Sequence, residues 1–333
     1  MKRRLIRIAL GGLLLLALAG CNPLFQTRPP SRPPVIVLRA CPDRPPPITV
    51  TAPIPAAAIP AHTIYLGSSG NLYALDARSG KTLWCQQVAI EGEFPCPGSC
   101  PPPPFMMFGQ PAVAHGAVYA CASGYGGYTY AFRASDGKLL WQVKSDCMYS
   151  DMPFRDDAIP LVGDGVVYNG PHALRASDGH ILWTTTAGSG YVAFQALAGG
   201  VLYGNDVEHI VAVNVSTGSL RWTYTAPTRE PPGDRLIVAD HRVYFGTLDP
   251  GSAMYALDAS SGSLLWKSTT PAYGDAALLG NALYFGSANN SVYAVRANSG
   301  ATLWRWQNPS SAPTNTEVTG ANGMLYVSMD AVY

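Results

Sequence analysis

A twelve-residue phrase that recurs six times constrains the fold of this 333-residue chain more than any other feature. Each copy contains a glycine followed, four residues later, by a tryptophan. The copies read YALDARSGKTLW (73–84), YAFRASDGKLLW (130–141), HALRASDGHILW (172–183), VAVNVSTGSLRW (211–222), YALDASSGSLLW (255–266) and YAVRANSGATLW (293–304). Successive glycines lie 57, 42, 39, 44 and 38 residues apart. A period near 40 residues in a chain rich in strand-forming sequence is typical of β-propeller blades.

Each conserved column of the phrase has a physical interpretation. The glycine follows Ser, Asp or Thr, which indicates a tight hairpin turn that ends in a left-handed residue. Six places before the glycine stands an alanine in every copy, which suggests a position where a neighbouring sheet approaches closely. The tryptophan on the next strand is predicted to fill the space between blades. These structural tryptophans are Trp84, Trp141, Trp183, Trp222, Trp266 and Trp304.

A second repeated element, exemplified by GAVYAC and NALYFG, precedes each phrase and has seven copies rather than six. Its tyrosines are Tyr65, Tyr119, Tyr168, Tyr203, Tyr244, Tyr284 and Tyr326. We therefore expect an all-β propeller of four-stranded antiparallel blades, with seven blades and the last one incomplete. Two explanations for the mismatch stay open: an N-terminal segment such as Ile48–Thr51 closes the last blade, or the chain is a fragment, which allows eight blades.

The N-terminus has the layout of a secretory signal peptide. Four cations precede an apolar run from Ile8 to Leu18, which is too short for a spanning helix. The following Leu-Ala-Gly-Cys resembles the lipobox of bacterial lipoproteins, which implies cleavage after residue 20 and lipidation of Cys21. We expect residues 21–62, which are rich in proline, to form an extended spacer between the membrane and a propeller at 63–333.

Six cysteines remain once Cys21 is assigned to lipid. An even number in an exported chain favours disulfides, whose pairing the sequence leaves open. We expect Cys96 and Cys100 to staple a Cys- and Pro-rich insertion at 86–108, to each other or to a neighbour. A metal site is not supported, because no second cysteine pair has zinc spacing. The disulfide candidates are Cys41, Cys85, Cys96, Cys100, Cys121 and Cys147.

Departures from the repeat are the places to seek specificity, and they fall in the first three units. The three loops are 86–108, 121–130 and 148–157; all of them contain aromatic residues, and 148–157 also contains three aspartates. Clustered aromatic residues suit binding, although glycine-tyrosine hairpins and an acidic rim can also be structural. The candidate binding residues are Phe105, Phe108, Tyr125, Tyr128, Tyr149, Asp151, Phe154, Asp156 and Asp157.

Several functional classes lack their signals in this sequence. The net charge is +1, and no basic run occurs beyond the N-terminus, so we expect no nucleic-acid partner. The six histidines are scattered, and neither a nucleophile elbow nor a Walker loop occurs. The sequence therefore predicts no catalytic, cofactor-binding or metal-ligating residue.

The phrase Ala-x-x-Ser/Asp/Thr-Gly-x-x-x-Trp closely resembles the tryptophan-docking repeat of pyrroloquinoline quinone (PQQ)-type β-propellers. The likeness covers residues 63–333. That family includes quinoprotein dehydrogenases, sensor domains and a bacterial lipoprotein branch with the assembly factor BamB. For a dehydrogenase the resemblance implies a quinone beneath adjacent cysteines and a calcium ion, but no Cys-Cys pair occurs here. We expect no cofactor, with PQQ and calcium as the alternative.

The function expected from these observations is a non-enzymatic, lipid-anchored scaffold of the bacterial cell envelope. It would lie on the extracytoplasmic face as a monomer and bind an envelope protein through its loops. One alternative is a PQQ-dependent or other redox enzyme. Another is an extracellular sensor or carbohydrate-binding module that uses the aromatic loops.

Overall fold

The computed structural model describes residues 35–40, 63–68, 70–91, 108–122, 127–145, 147, 159–188, 192–206, 208–225, 235–247, 252–287, 289–308, 314–321 and 323–331. These residues form 26 strands and no helix, so the all-β prediction is confirmed. The strands make seven antiparallel sheets, which we call blades I to VII in chain order. In the described part of the chain, no helix exists that could cross a membrane.

The strands follow one another in chain order within blades II to VI. Blade I consists of β1 (Val35–Ala40), β2 (Thr63–Ser68), β3 (Asn71–Asp76) and β4 (Thr82–Glu91). Blade II consists of β5 (Ala112–Ala114), β6 (Ala117–Ala122), β7 (Tyr128–Arg133) and β8 (Leu139–Lys144). Blade III consists of β9 (Leu161–Gly163), β10 (Val166–Asn169), β11 (His172–Arg175) and β12 (Ile181–Thr184). Blade IV consists of β13 (Ala193–Ala198), β14 (Val201–Asn205), β15 (His209–Asn214) and β16 (Leu220–Thr225).

Blades V and VI have four strands each, whereas two strands of blade VII are described. Blade V consists of β17 (Ile237–Ala239), β18 (Arg242–Gly246), β19 (Met254–Asp258) and β20 (Leu264–Lys267). Blade VI consists of β21 (Tyr273–Leu279), β22 (Ala282–Ser287), β23 (Ser291–Arg296) and β24 (Thr302–Gln307). Blade VII contains β25 (Thr314–Ala321) and β26 (Met324–Ala331) in the described residues. The first strands of blades II to VII contact one another in succession, so they lie where the blades converge.

Each repeated phrase forms the outer hairpin of a blade. In blade V, Ala256 lies opposite Tyr244 on one neighbouring strand and opposite Trp266 on the other, and the register shifts directly after the alanine. The turn glycine, Gly262, has a φ of 71°, a left-handed conformation that a side chain would strain. The same ladder and turn recur in blades I to IV and in blade VI.

The alanine column has a clear structural reason. In blade V the rings of Tyr244 and Trp266 lie 6.0 Å apart across Ala256. The six alanines of this column are each 0 % exposed. A larger side chain would separate the two rings, which pack together in front of the next blade. The close approach that the sequence predicts is therefore made by two aromatic rings of the same blade as well as by the neighbouring sheet.

The apolar core lies between blades rather than within them. Six apolar clusters each join two successive blades, from blades I and II to blades VI and VII. At five of these boundaries the indole Nε1 of the tryptophan donates to the carbonyl oxygen three residues before the turn glycine of the next blade. The distances are 2.9 Å for Trp84 to Ala134, 2.9 Å for Trp141 to Ala176, 3.0 Å for Trp183 to Val215, 3.0 Å for Trp222 to Ala259 and 3.0 Å for Trp266 to Ala297.

Two predicted segment boundaries differ from the structure. Residues 35–40, placed in the spacer by their proline-rich surroundings, form β1, which pairs with β4 on the outside of blade I. The run VIVLRA contains no proline and is rich in β-branched residues, so it can form a ladder where its neighbours cannot. Strand β4 continues to Glu91, so residues 86–91 of the predicted insertion are also strand. The described N-terminal strand thus joins the first blade rather than the last, while Ile48–Thr51 lies outside the described residues.

Candidate functional site

Phe108, predicted to be a binding residue, is buried in the core. It is 4 % exposed, and its ring lies 5.7 Å from that of Tyr130 and 6.2 Å from that of Phe132, edge-on in both cases. A bridge to Ala122 holds its backbone beside β6. Phe108 therefore stabilises the boundary between blades I and II, and it is not available to a partner.

Tyr128 begins β7 and is partly buried. Its ring lies 6.3 Å from the ring of Tyr130 and packs against the same cluster as Phe108. The other candidate binding residues lie outside the described residues. They are Phe105, Tyr125, Tyr149, Asp151, Phe154, Asp156 and Asp157.

The structure pairs two of the predicted disulfide cysteines. Cys121 and Cys147 are bonded at 1.99 Å, and the bond ties the end of β6 to the segment that follows β8. Cys85 is disulfide-bonded as well. Cys21, Cys41, Cys96 and Cys100 lie outside the described residues, so the lipidation of Cys21 and the stapling of the insertion stay predictions.

Five of the six predicted structural tryptophans are covered by the next blade. Trp84, Trp141, Trp222 and Trp266 are 8–9 % exposed, and Trp183 is partly buried. A Cβ placed on Gly262 would lie 2.6 Å from Cε3 of Trp222, so the ring packs directly on the turn glycine. At the same boundary, burial raises the pKa of the Tyr203 hydroxyl, which donates to the carbonyl of Ala259 at 3.1 Å.

Trp304 differs from the other five tryptophans. It is 43 % exposed, and Trp306, two residues further along β24, is 45 % exposed. The ring of Tyr284 lies 5.8 Å from that of Trp304, as in the other blades. Blade VI therefore carries the same aromatic pair as the others, but its outer part is open to solvent.

A polar groove of about 510 Å³ lies between blades III and IV. It follows the end of β12 on one side and the hairpin of β15 and β16 on the other. Its hydroxyl-bearing residues are Thr184, Thr185, Thr186, Thr217, Ser219 and Thr223. Such a lining can exchange hydrogen bonds with a ligand that carries many hydroxyl groups.

His209, which lines this groove, is hydrogen-bonded to the buried carboxylate of Asp206, a contact that sequence reasoning missed. Nδ1 of His209 lies 2.9 Å from Oδ1 and 3.0 Å from Oδ2 of Asp206, whose side chain is 0 % exposed. The same carboxylate accepts the backbone N–H groups of Glu208 and His209. This arrangement fixes the imidazole so that Nδ1–H faces the carboxylate. The available signal was an aspartate three residues before the histidine at the start of a strand.

The expectation of no cofactor, with PQQ and calcium as the alternative, stays a prediction. No group of three or more His, Cys, Asp or Glu side chains in the described ranges could hold a metal ion. Adjacent cysteines occur nowhere in the sequence. Asp206 already accepts hydrogen bonds from two backbone N–H groups and an imidazole. We therefore derive no reaction step through these groups.

Comparison with known proteins also identifies a propeller family. The family model described as outer membrane protein assembly factor BamB matches residues 49–186 and 172–333. The crystal structure of BamB from Moraxella catarrhalis is 19 % identical with a TM-score of 0.59, over 80 % of this chain and 78 % of that one. At this identity the similarity shows the propeller fold alone.

Quinohemoprotein alcohol dehydrogenases are also similar. The Comamonas testosteroni structure is 16 % identical with a TM-score of 0.55, and the match covers 81 % of this chain and 61 % of that one. A segment of 84 residues, 24 % of this chain, is 36 % identical to the dehydrogenase ADH IIB of Pseudomonas putida. The chain spans 11 % of the length of that relative.

Proposed function

Since the chain belongs to the PQQ-like propeller family described as outer membrane protein assembly factor BamB, we propose that it is a non-enzymatic scaffold of the cell envelope that binds a protein partner. The observation that carries the proposal is the extent of the match, which runs from residue 49 to residue 333. In this proposal Cys21 anchors the chain by lipid on the extracytoplasmic side of a membrane.

The blade boundaries support a scaffold role. Five tryptophan hydrogen bonds and six interblade clusters resist movement of one blade against the next, so the loops are presented on a stiff framework. Repetition leaves the hairpins nearly identical and places the variation in the connections. The longest departure from the repeat follows β4, so we place the partner-binding surface there.

In-cell crosslinking followed by affinity capture of the tagged, lipidated protein tests this proposal. The deletion variant should replace residues 92–107 with a Gly/Ser linker of equal length, since residues up to 91 are strand and Phe108 is core. A matched control replaces residues 226–234, which connect β16 and β17. We expect a stoichiometric envelope protein that is lost with the first variant and kept with the second. Capture of no such protein would overturn the proposal.

The lipid anchor has a separate test. We expect the Cys21→Ser variant to move from the membrane fraction to the soluble fraction of the envelope, because one side chain provides the attachment site. Complete retention in the membrane would overturn the anchor without affecting partner binding. Replacement of Cys41 by Ser is the matched control, because it removes a cysteine that lies twenty residues beyond the predicted lipidation site.

Two other functions each have one favourable observation. The 84-residue match to ADH IIB favours a redox enzyme, and titration with PQQ and calcium, followed by dye reduction, tests it. The hydroxyl-lined groove favours a carbohydrate-binding module, and a glycan-binding screen of the protein and its His209→Ala variant tests that one. Saturable binding that depends on His209 would support the module over the scaffold.

A further inference from the structure

The polar groove between blades III and IV lies where blade IV departs from the repeat. The residue directly before the repeated alanine carries a ring in five copies of the phrase. These residues are Tyr73, Tyr130, His172, Tyr255 and Tyr293. In blade IV the residue is Val211, which belongs to the apolar cluster shared with blade III and lies opposite Thr223 on β16. Two short side chains therefore stand at this boundary, where the other blades place a ring.

The next two blades show larger side chains at the same pair of positions. In blade V, Lys267 lies opposite Tyr255, and its Nζ is 5.2 Å from the centre of that ring. In blade VI, Arg305 lies opposite Tyr293, and its Cζ is 5.7 Å from the ring centre. A ring and a long cationic side chain thus take, in blades V and VI, the place that two short side chains take in blade IV. Of these two, Thr223 lines the groove.

The chemistry of the lining restricts what the groove can bind. Among the described residues that line it there is no lysine, arginine, aspartate or glutamate, and His209 is the one ionisable side chain. Threonine and serine hydroxyls both donate and accept hydrogen bonds, whereas a charged ligand needs an opposite charge to offset the cost of its desolvation. The volume of about 510 Å³ lies within the range of about 300–1,000 Å³ that is usual for small-molecule sites. The lining therefore favours a neutral ligand with many hydroxyl groups.

Asp206 orients the imidazole of His209 at the edge of this lining. Nδ1 of His209 donates to the carboxylate, whose side chain is 0 % exposed, at 2.9 Å. Because Nδ1 carries the proton of this hydrogen bond, the neutral ring has its lone pair on Nε2. The side chain of His209 is 28 % exposed, so a ligand in the groove can reach it. Nε2 can therefore accept a hydrogen bond from a ligand hydroxyl group.

Gly188 fixes the same carboxylate between the two blades. It lies in the connection after β12, lines the groove, and has a φ of 66°, which favours glycine. A Cβ on Gly188 would lie 2.3 Å from Oδ2 of Asp206, so any side chain there would displace the carboxylate. The wall from blade III and the wall from blade IV therefore meet at Asp206. This contact positions His209 relative to the threonines that follow β12.

We propose that this groove binds a short neutral oligosaccharide. The sugar hydroxyls exchange hydrogen bonds with the threonine and serine hydroxyls of the groove, and one of them donates to Nε2 of His209. The short side chain of Thr223 lets the sugar approach β16. The inference rests on the carbohydrate-binding candidate of the proposed function, for which it names the site and the class of sugar, and not on the scaffold. The groove is also separate from the aromatic loops of the first three units.

Isothermal titration calorimetry of the full chain tests the proposal with four neutral trisaccharides: maltotriose, cellotriose, mannotriose and triacetylchitotriose. We expect at least one of them to bind saturably, with one site per chain. Trigalacturonate has the same length but carries carboxylates, and we expect it to bind about tenfold more weakly or less, because no lysine or arginine in the described lining offsets their charge. No binding of any neutral trisaccharide, or tighter binding of trigalacturonate, would overturn the proposal. The titrations contain no envelope protein, so their failure is distinguishable from failure of the capture experiment.

Matched variants locate the binding in the groove. Thr223→Lys gives blade IV the residue that blade V has at this position, and the long side chain should weaken sugar binding about tenfold or more by filling the groove. Gln142→Lys is the control, because Gln142 is the exposed residue at the same position of blade II, and its affinity should equal that of the parent chain. His209→Ala should weaken binding about tenfold through the loss of one hydrogen bond. Unchanged binding by Thr223→Lys, or an equal loss in both lysine variants, would overturn the proposal.

Discussion

Trp266 and Trp304 occupy the same position in neighbouring blades, and an equivalent tyrosine packs beside each ring, but their surroundings differ. Trp266 donates to Ala297 at 3.0 Å and is 9 % exposed. Trp304 is 43 % exposed and has no such acceptor in the described residues. The difference teaches that the tryptophan contributes its stabilisation to the boundary with the next blade, not to its own sheet.

The largest expected effect comes from removing the two rings in turn. Trp266→Ala should lower the free energy of unfolding by about 3–5 kcal/mol, because it leaves a cavity between blades V and VI. Trp304→Ala should cost about 1 kcal/mol or less, as for a largely exposed residue. Urea denaturation followed by circular dichroism measures both. Equal losses would show that the exposed ring is covered in solution.

Two turn glycines allow the stability cost of crowding a tryptophan ring to be measured apart from the cost of backbone strain. Gly262 and Gly116 have φ values of 71° and 75°, but only Gly262 has a tryptophan ring where a Cβ would stand. Gly116→Ala should cost about 1–2 kcal/mol through the left-handed backbone alone. Gly262→Ala should cost about 1–3 kcal/mol more, because the methyl group overpacks the boundary. Thermal unfolding of the two variants compares them, and similar losses would contradict a packing role for the turn.

The smallest expected effect concerns pH and the aspartates that begin the turns. Hydrogen bonds from the hydroxyl groups of Ser260 and Ser261 lower the pKa of Asp258 from its usual value of 3.8. Hydrogen bonds from the hydroxyl and the backbone N–H of Ser79 lower the pKa of Asp76 in the same way. Because the folded-state pKa is lowered, the ionised carboxylate stabilises the folded protein above pH 3.8. That stabilisation is lost as the pH falls through the folded-state pKa. The urea concentration at the midpoint of unfolding should therefore fall as the pH is lowered below 3.8.

The same pH experiment can sharpen the comparison between covered and open boundaries. Gly262, in the turn of Asp258, is buried on Trp222, whereas Gly80, in the turn of Asp76, is only partly buried. We expect Asp258→Asn to reduce the acid-induced fall of the urea midpoint more than Asp76→Asn does. The reason is that the turn containing Asp258 packs on the ring of Trp222. The reverse ranking would mean that each turn is stabilised locally.

Much of the blade architecture could be predicted from the sequence, because the residues that contact one another in each hairpin lie within a single repeat. The Gly and Trp columns predict the hairpin, and the seven tyrosine-containing elements that accompany them predict seven sheets. The predicted family and all-β propeller fold are confirmed. The candidate site was less accessible. Phe108 looked like a loop aromatic, yet it packs on Tyr130 and Phe132, which lie more than twenty residues away in sequence.

The sequence by itself determined the number of hairpins, the turn glycines and the ladder of tyrosine, alanine and tryptophan, because these depend on residues within one repeat. Only the tertiary structure decided that β1 pairs with β4, that Cys121 joins Cys147, that His209 meets Asp206 beside a groove, and that Trp304 stays exposed. Burial and pairing depend on which element arrives next to a residue in space. Six copies of one phrase therefore have five covered rings and one that is 43 % exposed.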